Sequence, residues 1–133
     1  MIQPWLICPT SRASWALLPR TPIASDAEVT NPTALEVLKP SSELIDKTYA
    51  CYFSSSEEVN RIFCSKCGTG LTFFAEGDPE PKSWGLVFDI ALGTLDDECL
   101  EMPGVKPVRR SWIGDGIGWV KSLLEDGEKA FSG

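Results

Sequence analysis

Cys64-Ser-Lys-Cys67 is the segment of this chain most suited to chemistry. A strand-like run, Val59 to Phe63, leads into it, and a second, Leu71 to Phe74, leads out. Two thiols three positions apart at a β-turn, followed by Gly68, have the spacing of a zinc knuckle: the turn aims both sulfurs at one point, and glycine tolerates the backbone this requires. A structural zinc takes four ligands, and the motif supplies two. The other cysteines are Cys8, Cys51 and Cys99. Cys51 lies on the strand expected to pair with the one entering the knuckle, where a free cysteine also serves as a small core hydrophobe. Zinc on Cys64 and Cys67 is one reading and a metal-free turn held by its own hydrogen bonds is another. A redox pair is a third, disfavoured because the motif opens onto a strand rather than a helix.

The chain contains no histidine, which excludes a Ser-His or Cys-His pair and an imidazole base. Acid–base work would fall to Asp, Glu, Lys, Tyr or Cys. Asp89 alternates with Val87 and Ala91 and is a candidate base if it faces inward. Asp115, between two glycines, is a candidate at the lip of a pocket. Asp96 and Asp97 sit in a turn, where aspartate serves local hydrogen bonding. Trp15, Trp84, Trp112 and Trp119 are read as core, with one or two able to line a cavity.

These residues need a scaffold, and 133 residues suffice for a single domain spanning 1–133. Five Trp, six Phe, eleven Gly and ten Pro suggest short strands, many turns and an aromatic core. The net charge of −7 argues against nucleic acid, and the basic cluster Lys106 to Arg110 reads as a solvated edge. No apolar run is long enough to span a membrane, and the first eight residues lack a basic start and a full apolar region, so no signal peptide is read there. An odd cysteine count, with two too close for an ordinary structural disulfide, points to a reducing, cytoplasmic setting.

Prolines 4, 9, 19, 22, 32 and 40 break the first forty residues, where short strands are expected at Ser14 to Leu18 and Leu35 to Leu38. Further strands are expected at Lys47 to Phe53, Val59 to Phe63, Leu71 to Phe74, Trp84 to Ala91 and Arg109 to Ile113, with turns at Ser54 to Glu58 and Gly93 to Asp97. Only Trp119 to Leu124 reads as helix. The fold class expected is all-β with little helix.

Four features in order, Lys47-Thr-Tyr49, Phe63-Cys-Ser-Lys-Cys-Gly-Thr69, Leu92-Gly-Thr-Leu-Asp-Asp97, and Trp112 followed by Trp119, resemble the glutathione-dependent formaldehyde-activating enzyme family, which includes centromere protein V-like domains. The likeness is best from about Leu35 to Val120. It implies tent-like antiparallel sheets and two zincs, one structural and one catalytic. The structural zinc is held by an N-terminal Cys-x-Cys-Gly and the later Cys-x-x-Cys; the catalytic one is held by a Cys-x-Cys-x-x-Cys-Arg segment with a position open for a thiol or water. Here Cys64 and Cys67 match the second half of the structural site, while the first half belongs upstream of residue 6, where this chain starts too late to contain it. The catalytic segment corresponds to Leu6 to Arg12, with Leu6 and Ser11 at two of the three cysteine positions and only Cys8 and Arg12 kept. A hydroxyl and an aliphatic side chain do not replace thiolates on a soft ion.

The expectation that follows is an enzyme of this type with lost or reduced zinc chemistry. It would act on a small aromatic or carbonyl-bearing molecule by acid–base or templating catalysis, such as dehydration, cyclisation or isomerisation in specialised biosynthesis. Cys8, Arg12, Asp89 and Asp115 are its candidate catalytic residues: Cys8 as nucleophile or thiol ligand, Arg12 as an anion binder. One alternative retains zinc on Cys64 and Cys67 and the family's carbon–sulfur lyase activity, with ligands from a second subunit; another is a non-catalytic binding module. An unpaired sheet edge would also give a route to a homodimer.

Overall fold

The computed structural model describes residues 4–20, 29–77, 82–105, 117–119 and 121–122. Those residues form an all-β core, a single five-stranded antiparallel sheet with three short helices. The strands are β1 (Trp5–Pro9), β2 (Ala50–Ser56), β3 (Val59–Cys64), β4 (Gly70–Ala75) and β5 (Val87–Ala91), ordered β1-β5-β4-β3-β2. Strands β2 to β4 follow the aromatic and β-branched runs of the sequence, a composition suited to a pleated, half-buried surface. The Lys47 to Phe53 run begins its strand only at Ala50 and continues to Ser56. Trp84 closes a 3-10 turn, Lys82–Trp84, so the strand expected from Trp84 starts at Val87. β1 pairs with β5 across almost the whole described chain, Trp5 opposite Ala91 and Pro9 opposite Val87.

Three short helices form where strand, turn or no regular element was expected. Leu35 to Leu38, read as a strand, belongs to α1 (Ala34–Leu38). Its cause is local: the Thr33 hydroxyl accepts from the Glu36 amide at 3.3 Å, while the Glu36 carboxylate accepts from the Thr33 amide at 2.8 Å. Such a capping box satisfies two of the amides that a helix start leaves without partners. α2 (Ser42–Lys47) is likewise capped, by the Ser41 hydroxyl on the Leu44 amide. α3 (Asp97–Leu100) takes up the end of the expected Gly93 to Asp97 turn, after a 3-10 turn at Leu92–Thr94. Ser14 to Leu18 is not a strand; only Leu17 forms an isolated bridge, to Thr30. The Arg109 to Ile113 strand lies outside the described residues, as does much of the Trp119 to Leu124 helix, of which Trp119 and Lys121–Ser122 are helical.

α1 covers one face of the sheet. Val37 and Leu38 pack with Ile62, Phe74 and Phe88, each at most 1% exposed. Full burial of side chains this size stabilises by roughly 1.5–3 kcal/mol each. Asn60 on β3 fixes the helix end, donating from Nδ2 to the Leu38 carbonyl at 3.1 Å and accepting from Ser54 Oγ at 2.7 Å.

Alternation fixes what each face carries. Cys8, Phe88, Ile90, Thr72 and Ile62 stand on the helix-covered face; Ile7, Asp89, Phe73, Arg61 and Phe53 form a row across the other. One irregularity matters. Ile62 pairs with Thr72 but Phe63 with Gly70, leaving Leu71 as an extra residue in β4. Such a bulge re-aims the side chain it inserts.

Candidate active site

At its β1–β5 end the covered face carries a cleft of about 460 Å³. This lies within the range of small-molecule sites. Cys8 of β1 stands opposite Phe88 of β5 on the floor, with Ile90 beyond and Leu71 brought in by the bulge. The wall is the segment after β1. The Thr10 amide donates to the Leu86 carbonyl at 2.8 Å and the Ala13 amide to the Thr10 carbonyl at 3.3 Å, turning the chain so that residues 12–15 fold back over the floor. The Trp15 ring rests on Phe88, centroids 5.8 Å apart and tilted 42°. Thr94 and Leu95 close the far side; Thr94 Oγ donates to the Ala91 carbonyl at 2.7 Å, which holds the turn in place.

Cys8 and Arg12 are the ionisable groups of this lining. Burial pushes the Cys8 thiol above its ordinary pKa, and the Arg12 guanidinium offsets only part of that rise. The thiol is therefore protonated near neutrality. Its Sγ lies 3.5 Å from the Pro9 carbonyl oxygen, a weak internal contact that leaves the S–H able to turn toward a ligand. Arg12 is exposed at the mouth. The arrangement offers an apolar slot with a cation at its entrance and a neutral thiol on its floor.

Asp89 does not join them. It stands between Phe88 and Ile90, both of which line the cleft, and so faces the other side of the sheet, opposite Ile7 and Phe73. Asp115 and Trp112 lie outside the described residues. Trp84 and Trp119 are 45% and 65% exposed, so of the four tryptophans singled out only Trp15 serves both core and cleft among the described residues.

The knuckle forms as its spacing requires. The Cys64 amide donates to the Thr69 carbonyl at 2.9 Å, the Gly68 amide donates to the Cys64 carbonyl at 2.7 Å, and Gly68 has φ +78°, which non-glycine residues rarely adopt. Cys67 is exposed, its Sγ 3.2 Å from Thr69 Oγ. Hydrogen bonds from the Thr69 side chain and backbone, and then from Cys64, hold its thiol below the ordinary value. Among the described residues four zinc ligands are not assembled at the knuckle. Cys51 pairs with Phe63 while Cys64 pairs with Ala50, so the two face opposite sides of the sheet. Cys8 is on β1, three strands from β3, or roughly 14 Å at ordinary strand spacing. No group of three or more metal-ligating side chains occurs among the described residues.

Arg20 carries no motif in the sequence, yet it binds the knuckle to the rest of the domain. Its Nε donates to the Thr48 and Ile45 carbonyls and its Nη2 to Ser65 Oγ at 2.9 Å. The guanidinium lies 5.6 Å from the Tyr49 ring centre, while Tyr49 Oη donates back to the Arg20 carbonyl at 2.9 Å.

No family model, curated protein or solved structure matches the chain. No helix among the described residues is long and apolar enough to cross a membrane.

Proposed function

We propose that the cleft is the active site of an enzyme related in fold to the formaldehyde-activating type, with its zinc chemistry lost. It takes a small aromatic or carbonyl-bearing molecule with a carboxylate or phenolate group. The observation that carries this reading is the presence of Cys8 and Arg12 at one slot walled by Trp15, Phe88, Ile90 and Leu71. Arg12 binds the anionic group at the mouth, where a guanidinium makes paired, charge-assisted hydrogen bonds. The apolar walls take the ring and exclude water from it.

With its pKa raised, Cys8 is a hydrogen-bond donor or weak acid toward a substrate oxygen rather than a standing thiolate nucleophile. Asp89, on the opposite face, supplies no base here. Templating with proton donation from Cys8 therefore suits the site better than base-led chemistry, and dehydration, cyclisation or isomerisation of a folded substrate are reactions of that kind. The donor set at the knuckle does not fit a four-coordinate zinc, and no step is routed through a metal.

The reading is tested by titrating the protein with aromatic carboxylates and phenolates and with their neutral methyl esters and ethers, followed by heteronuclear NMR. The acids should shift signals of Trp15 and Leu71 and bind at least about tenfold more weakly to Arg12→Gln, a loss of roughly 1.4 kcal/mol. Equal binding of acid and ester, or no shift at these residues, would sink it.

A further inference from the structure

The sheet face away from α1 carries a cross-strand row whose order is Phe53, Arg61, Phe73, Asp89, Ile7, from β2 through β3, β4 and β5 to β1. Phe73 is at its centre, with the Arg61 guanidinium carbon 5.0 Å from its ring centre and Trp5 at 6.3 Å from the other strand edge. The ends of the row are apolar and exposed, Phe53 by 62% and Ile7 by 43%. One step in from each end stands a charge: Arg61 on one side of Phe73, Asp89 on the other. Asp89 is half-buried and has no hydrogen-bond or ion-pair partner among the described residues, an unfavourable setting for a carboxylate.

The row reads apolar, cation, aromatic, anion, apolar, and it is therefore complementary to its own reversal. We propose that two copies of the chain pack through this face, about a twofold axis parallel to the strands and passing over Phe73. The rotation reverses the row. Arg61 of each copy meets Asp89 of the partner copy, Phe73 meets Phe73, and Phe53 meets Ile7. Strand directions stay aligned, as in face-to-face sheet packing at about 10 Å separation. Because the contact is isologous, both ion pairs form at once and the arrangement closes as a dimer. It differs from pairing through a free strand edge, since it uses side chains rather than backbone groups. Five strands at about 4.8 Å spacing give a modest footprint, at the low end of stable interfaces, so the association is expected in the micromolar range.

The test is sedimentation of the full chain between about 1 and about 200 µM. Wild-type protein should show a concentration-dependent dimer. Arg61→Glu and Asp89→Arg should each weaken it by about tenfold or more, since each sets like charges against one another twice. An equimolar mixture of the two variants should regain the dimer, because in the mixed pair Glu meets Arg and Asp89 meets Arg61. Phe53→Glu, at a largely exposed side chain whose replacement leaves the core untouched, should weaken association as well. A wild type monomeric throughout, a dimer indifferent to Arg61→Glu, Asp89→Arg and Phe53→Glu, or folded charge variants that stay monomeric when mixed would each overturn the proposal.

Discussion

Cys51 and Cys64 lie on adjacent strands one register step apart and face opposite sides of the sheet. Cys51 is one of three cysteines, with Cys8 and Cys99, from which the knuckle could draw a further ligand, and a single step of pairing turns it to the other face. A bound zinc would need donors that the described residues do not bring together. Purified protein dialysed against a chelator is therefore expected to unfold at the same temperature as untreated protein and to retain well under one equivalent of zinc, measured by elemental analysis. A structural zinc behaves otherwise, since its removal takes the folding energy with it.

The two thiols of known environment should react very differently. Cys67 is exposed with a lowered pKa, and Cys8 is partly buried with a raised one. Alkylation by iodoacetamide near neutral pH, followed by mass spectrometry, should modify Cys67 first and Cys8 slowly. Thr69→Val should slow Cys67 by removing its hydrogen-bond partner. Arg12→Gln should slow Cys8 further, because the guanidinium is what lowers that thiol's pKa. Faster reaction of Cys8 than of Cys67 would contradict both environments.

Thr72 is 3% exposed and its hydroxyl has no hydrogen-bond partner among the described residues. Valine has the same shape, keeps the β-branched form a strand favours, and removes an unpaired polar group. Thr72→Val should leave stability unchanged or raise it by about 1–2 kcal/mol in urea unfolding. By contrast Leu38→Ala, at a fully buried position, should cost roughly 2–5 kcal/mol.

Burial raises the Asp89 carboxyl above its unfolded value. The folded state then holds that proton more tightly, so the stability it contributes is complete below the unfolded pKa of about 3.9 and is lost as pH rises through the folded value. Asp89→Asn should therefore raise the melting temperature at pH 7, at protein concentrations too low for association, and the gain should vanish near pH 3. An equal gain at both pH values would remove titration as its cause.

Arg20 joins the segment before it to α2, to Tyr49 and to the knuckle serine. Arg20→Lys keeps the charge but not the planar fork, and should destabilise by about 1–3 kcal/mol because buried carbonyls lose their donor. Hydrogen exchange should rise first at the amides of Ser65 and Gly68.

β2 to β4 were legible because their signal is local: aromatic and β-branched residues between turns at 47–74 mark them without reference to the rest, whereas β1 at Trp5–Pro9 was not expected. α1 reads wrongly as a strand, since Leu35 to Leu38 fits either period and only the Thr33/Glu36 pair reveals the helix. The site divides in the same way. Cys8 and Arg12 share a short segment and arrive together. The face taken by Asp89 depends on which side of β5 the helix covers, and Leu71 enters the cleft only through a bulge; neither is a property of neighbouring residues. Arg20 offered no signal at all, because its partners come from two distant segments, α2 with its C-cap at 45 and 48 and the knuckle at 65.

The pairing of β1 with β5 has a kinetic consequence. β2, β3 and β4 are joined by tight connections and can zip together from contacts close in the chain, whereas Trp5 must find Ala91 across nearly everything between. Contacts of long sequence separation carry the greater loop-closure cost and tend to form late. The cleft, whose floor is the β1–β5 seam, is thus expected to assemble after the β2–β4 part of the sheet. A chain can possess its hairpins and its knuckle and still have no cleft.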